Sequence, residues 1–222
     1  MKIRKGKYFF SQIKIIFLGI FFTFTFNSEL SYRTIIGKID LSTLDLSRVE
    51  DGDIIFRRGI GLASDIILST DASCPFTHVG IIQKINDNIF VIHSSPTDNN
   101  KQSNFIEKEL LSNFLSREAA SDFAIRRIIP KTNLKKVLRF ADSLYKAKVD
   151  FDDEFDLLNS DKFYCTELVY KSYLYSGVDL TNGKLDTLLI PIGKNPYLLP
   201  GTLLKSTNLK KLNLKKGEVY EN

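Results

Sequence analysis

Apolar positions along this chain change their spacing several times, and each change marks an element. Ile15–Phe26 (IIFLGIFFTFTF) is an apolar run with no polar face. From Asp51 the segments shorten: DGDIIFRR predicts a turn and then an apolar strand ending at Arg58. LASDIILST predicts a short helix with Leu62, Ile66 and Ile67 on one side. Thr77–Ile85 and Ile89–His93 are rich in β-branched residues, and Asn86–Asn88 joins them, so they predict a β-hairpin. Ile106–Ser116 (IEKELLSNFLS) reads as a second helix, and Asp122–Ile129 as a strand stopped by Pro130. Over Thr132–Lys148 the positions Leu134, Val137, Leu138, Ala141, Leu144 and Tyr145 repeat at helical spacing, with Thr132 or Asn133 as cap. An acidic loop (VDFDDEFDLLNSD) then leads into a helical pattern around Cys165, which Gly177 is placed to end. Strands grouped together between helices predict an α+β fold, an antiparallel sheet with helices packed against it.

Charge changes the picture at one end only. The 222 residues carry 31 Lys and Arg against 26 Asp and Glu. Lys2, Arg4, Lys5, Lys7 and Lys14 account for the whole excess of +5, so residues 29–222 balance to zero. The basic balance therefore reports a basic flank before an apolar run, not a nucleic-acid surface. That flank and run predict an export signal or a retained N-terminal membrane anchor over residues 1–28. The run is short for a bilayer span, which takes roughly 20 residues. Phe stands where a small residue would precede cleavage. Residues 29–49 read as a connector, 50–206 as the folded domain and 207–222 as a basic, solvated tail.

Two cysteines and two histidines carry the candidate chemistry. Cys165 at a helix start has bland readings: core filler, or a disulfide with Cys74 in an oxidising compartment. No metal-ligand spacing such as CxxC or HExxH occurs, and no metal or organic cofactor is implied. The chemical reading is a nucleophile. A free thiol is only about 3% ionised at pH 7, and unpaired amides in a first helical turn, with Ser160 or Asp161 as cap, favour the anion and can hold an oxyanion.

The base would come from His78 or His93, at the ends of the hairpin arms away from the turn. A three-residue turn at Asn86–Asn88 without a bulge pairs Ile81 with His93 and puts the imidazoles on opposite faces. A two-residue turn at Asp87–Asn88 pairs Ile82 with His93 and puts both on one face, with His78 four residues from that partner. That is roughly 13 Å along a strand, a gap that a bulge, strand coiling or a bridging group has to close. With the gap closed, His78 takes the thiol proton and His93 orients it.

These stretches resemble a family: the YiiX/YebB-like enzymes, a circularly permuted branch of the NlpC-type papain-like cysteine hydrolases. DGDIIF, THVGII, VIHSSP, VDFDDEF, FYCTELVYKSY and LLPGTLLKS run in the family's order over about residues 50–206. The resemblance implies a permuted papain-like fold, a small antiparallel sheet or half-barrel packed against helices. It implies Cys165 as nucleophile, His78 as base and His93 as third group, where the family more often has Glu. Tyr164 and Glu167 match the motif and would line the site. The implied activity is a thiol hydrolase, peptidase or amidase, acting on a peptide, amide or acyl-lipid substrate of the cell envelope. An acyltransferase, an esterase or an inactive binding domain of the same fold are the alternatives.

Overall fold

Runs of buried residues along Ile54–Gly59, His78–Ile85 and Asn88–Ser94, with neighbours turned to opposite sides, build one antiparallel sheet with both faces covered. The computed structural model describes residues 39–60, 62–71, 73–96, 104–116, 118–158, 160–186 and 196–216. The predicted export segment lies outside them, as do the side chains of Leu62 and Ile66. All described residues fall within one compact unit, Lys38–Asn222.

The strands are β1 (Ile54–Gly59), β2 (His78–Ile85), β3 (Asn88–Ser94), β4 (Ile106–Leu110), β5 (Ala120–Ile128) and β6 (Leu209–Leu212). Their order across the sheet is β4-β3-β2-β1-β5-β6, with every pairing antiparallel. The helices are α1 (Leu62–Thr70), α2 (Leu111–Phe114), α3 (Leu134–Lys146), α4 (Cys165–Tyr175) and α5 (Pro200–Leu204).

On one face Ile54, Phe56, Val79, Ile81 and Ile92 pack with Val137, Ala141, Leu168, Val169 and Tyr173 of α3 and α4. On the other, Ile55, Ile82, Val91 and Ile125 pack with Val49, Leu111, Phe114 and Leu214. Each fully buried Ile, Leu or Phe here contributes about 1.5–3 kcal/mol. α3 begins where Asn133 accepts the Lys136 amide, as a cap should. α4 ends in a Schellman turn: Gly177, at φ 91°, donates to Leu174, and Val178 donates to Tyr173.

Several expectations change. Ile106–Ser116 is not a helix. Its first half is β4, which pairs with β3, and only Leu111–Phe114 turns helical. Ile106, buried, faces the α3/α4 side while Glu107 and Glu109 line the other, an alternation of period two that the apolar count concealed. The tail is not wholly solvated: Leu209–Leu212 pairs with β5, and Leu214 is buried. The connector also packs, since Ile39, Leu41, Leu44 and Leu46 sit against the second core cluster. DGD is structural. Asp51 accepts the Lys84 amide, Gly52 takes φ 80°, and buried Asp53 receives Arg127 through two bonds of 2.7 Å.

Candidate active site

The hairpin turn decides where the imidazoles meet. Ile85 pairs with Asn88, so the two turn residues are Asn86 and Asp87, one position earlier than expected. Asn86 takes the left-handed φ of 54° that such a turn needs and that Asn tolerates. The β2–β3 ladder runs to Ile81↔Ile92. One further step sets Gly80 opposite His93, and a Cβ on Gly80 would stand 3.1 Å from His93 Cβ. His78 is therefore two residues from the position facing His93, not four. Diagonal neighbours on one face lie about 7–8 Å apart, within reach of two rings leaning together. The missing Cβ of Gly80 supplies the room. His78 Nε2 and His93 Nδ1 are 3.0 Å apart, and no bulge is needed.

The chain of contacts continues beyond the imidazoles. His93 Nε2 lies 2.9 Å from Glu109 Oε1. Glu109 lies in Ile106–Ser116, whose apolar spacing fits a helix as well as a strand; in the strand it faces Val91, beside the site. Phe114 packs against both rings, and the Arg57 guanidinium lies over that ring at 4.2 Å. Burial, then the Arg57 charge, then His93 hold His78 well below the ordinary imidazole range. Burial also lowers His93, against the hydrogen bond it donates to Glu109, which raises it. Both rings are neutral at pH 7. A consistent proton order follows: His78 Nε2–H donates to His93 Nδ1, His93 Nε2–H donates to Glu109, and His78 Nδ1 remains an acceptor.

Cys165 reaches the start of β2 from α4, which packs with Val79 and Ile81. Its helix starts one residue after Tyr164, which has extended angles and no side-chain cap, so neither Ser160 nor Asp161 caps it. Instead the preceding carbonyl of Phe163 is pinned by the Ser94 hydroxyl at 2.5 Å. Ile82 N–H donates to Asp53 on the β1 side, so alternate residues, Val79 among them, turn their amides toward β3. The ladder has ended there, and the Cys165 sulfur takes up the Val79 amide. Among the described residues no hydrogen bond joins Cys165 to either ring; the sulfur is placed beside Val79, the residue next to His78.

Burial pushes the Cys165 thiol up to about 11, outweighing the amides of Val79, Thr166 and Cys165 and the Arg57 charge, which pull it down. The helix start alone does not make a thiolate, contrary to expectation, because desolvation of the sulfur is the larger effect. Both cysteines are free, which removes the Cys74–Cys165 disulfide; Cys74 is buried, its thiol bonded to the Phe76 carbonyl.

Tyr164 and Glu167 are closed off from solvent and have no surface to offer a substrate. The Tyr164 hydroxyl accepts the Leu198 amide, and Thr166 donates to the Leu198 carbonyl, so these residues fasten the helix start to the segment before α5. Glu167 pairs with Lys171 at 3.1 Å, and burial raises its carboxyl to about 7.

Comparison with known proteins agrees with this architecture. A sequence profile of the permuted papain-like amidase enzymes, YaeF/YiiX, C92 family, matches residues 48–211. The crystal structure described as metalloprotein YiiX from Escherichia coli O157:H7 superposes with a TM-score of 0.60 at 16% identity, covering 75% of this chain and 97% of that one. No curated protein matches the chain. With the profile spanning the sheet, the imidazole pair and the cysteine helix, this chain belongs to the C92 family of permuted papain-like amidases and is a cysteine hydrolase.

Proposed function

We propose that Cys165 is the nucleophile of an amide hydrolase, with His78 as base and His93 and Glu109 fixing the orientation and tautomer of His78. Sulfur attack on the carbonyl carbon passes the thiol proton to His78 Nδ1. The amides of Cys165 and Thr166 face the developing oxyanion. His78 then protonates the leaving amine, and water, deprotonated by His78, releases the acyl group from sulfur. The observation that supports this most directly is the Glu109–His93–His78 chain, with links of 2.9 and 3.0 Å, ending one residue from the amide that touches the sulfur.

The substrate in this reading is a peptide, amide or acyl-lipid group of the cell envelope, and nucleic acid is no partner. Export, or tethering through residues 1–28, would bring the enzyme there, with membrane contact through that segment. No described helix is long and apolar enough to cross a membrane.

The test is turnover of envelope peptide fragments and acyl amides by the full chain, with mass spectrometry of the trapped acyl-enzyme. The adduct should sit on Cys165, vanish in Cys165→Ala and fall sharply in His78→Ala. Turnover that survives Cys165→Ala overturns the assignment. Fractionation with and without residues 1–28 tests the location.

A further inference from the structure

The sheet face that holds the imidazole pair carries more metal-ligating groups than proton transfer requires. His93 pairs with Glu107 and Val91 with Glu109, so His93, Glu107 and Glu109 project from the same face. One ligand atom from each lies within 4.8 Å of the others. His93 is 1% exposed, its Nδ1 already faces His78, and its Nε2 is the nitrogen turned to the carboxylates. Orienting His93 takes one carboxylate. The second, Glu107, brings a like charge beside Glu109, whose Oε1 lies 3.9 Å from Arg57. Lys108 between them turns to the opposite face and pairs with Asp142.

We propose that His93, Glu107 and Glu109 form a three-ligand site for zinc, and that loading it switches off the base. One imidazole nitrogen, two carboxylates and a water make an ordinary four-coordinate set. Zinc takes the Nε2 lone pair, so the His93 proton must sit on Nδ1. It then donates to His78 Nε2, and the His78 proton moves to Nδ1. The proton count of the two neutral rings is unchanged, but the nitrogen that would accept the thiol proton is now occupied. The His78 side of the metal site is a second-sphere hydrogen bond of the kind that fixes a ligand ring.

The switch rests on the hydrolase reading; the metal site does not, and the tests separate them. Calorimetric titration of zinc chloride into full-length Cys165→Ser protein reads binding without the nucleophile. One zinc per chain is expected, weakened by more than about tenfold in Glu107→Gln, with the melting temperature confirming the fold. No binding, or binding indifferent to Glu107→Gln, overturns the site. The chain has two histidines, so nitrogen NMR of the untagged protein resolves both rings. Zinc should move the His78 proton from Nε2 to Nδ1, and a bound metal with unchanged tautomers overturns the switch. In turnover, zinc should inhibit wild type reversibly by chelator. Equal inhibition of Glu107→Gln would assign the effect to the thiol and overturn the proposal. Zinc binding in a protein that shows no turnover would sink the hydrolase reading and leave the site standing.

Discussion

The resting protonation state of the site can be measured by the pH dependence of Cys165 alkylation. Burial raises the thiol to about 11 and keeps His78 neutral, so the unliganded pair is thiol and imidazole rather than thiolate and imidazolium. At pH 7 such a thiol is ionised to about one part in ten thousand, against about 3% for a free thiol, a deficit of about 300-fold. The higher pKa makes the thiolate more nucleophilic, and a Brønsted slope of about 0.4–0.5 over about 2.5 units returns about tenfold. Iodoacetamide should therefore label Cys165 about 20- to 30-fold more slowly than free cysteine at pH 7. The rate should rise about tenfold per pH unit from about 7 to 10 with no plateau. Peptide mapping separates Cys165 from buried Cys74. His78→Ala should change this labelling little yet reduce turnover by about 100- to 10,000-fold, because the base acts in the transition state. A labelling rate that is flat between pH 5 and 8 and faster than free cysteine would refute the reasoning. It would mean that the amides and Arg57 outweigh desolvation.

Further outcomes follow from particular contacts. Gly80→Ala places a Cβ 2.5 Å from Val91 Cγ1 and 3.0 Å from the Ile92 carbonyl. It should cost about 1–3 kcal/mol and about 2–4 °C of melting temperature per kcal/mol, and lower kcat by displacing His93; an unchanged melt would refute the close approach. Glu109→Leu removes the acceptor of His93 and should lower kcat about 10- to 150-fold, the worth of a charge-assisted bond of about 1.5–3 kcal/mol, with KM steady. An effect on KM alone would count against orientation. The folded imidazoles resist protonation, so at these groups the unfolded chain binds more protons below pH 6.5. Buried Glu167, raised to about 7, acts in the opposite sense, so in Glu167→Gln, which removes it, stability must fall as pH drops through and below 6.5. Urea midpoints between pH 7 and 5 should track this loss, at most about 1.4 kcal/mol per pH unit for each imidazole, and a flat profile would contradict two buried neutral rings. Tyr173→Phe deletes the hydroxyl that donates to the buried Gly52 carbonyl and should cost about 1–3 kcal/mol while leaving kcat alone.

The sequence was most readable where a pattern was long or a residue type was forced. Thr132–Lys148 declared α3, Gly177 its neighbour's end, and the β-branched hairpin arms needed no tertiary knowledge. The family motifs carried the fold and the enzyme class. Illegible were features that depend on what lies across the sheet. Glu109 looked helical because IEKELLSNFLS fits a helical count as well as it fits a strand followed by a turn. The tail strand Leu209–Leu212 has basic residues at its centre, and only pairing with β5 gives it a place. The register of His93 hung on a single turn position, Asn86 against Asp87, and one step there moved its partner from Ile82 to Gly80. Tyr164 and Glu167 matched a motif, but a motif does not say whether a side chain points at substrate or at the protein interior.

What locates the nucleophile is therefore less the helix end than the place where the sheet stops pairing. Val79 turns its amide toward β3 beyond the last ladder pair, Ile81↔Ile92, and a buried amide without a partner costs about 1–3 kcal/mol. The sulfur of Cys165 meets that need, while Ser94 at the end of β3 holds the Phe163 carbonyl just ahead of it. The two strands are thus bridged by the residues that open α4 rather than by each other. In that same opening Gly80 lacks the Cβ that would push His93 away from His78. Sulfur placement and imidazole contact are consequences of one local event, the early end of the β2–β3 ladder. A substitution that re-zips this ladder should disturb both together.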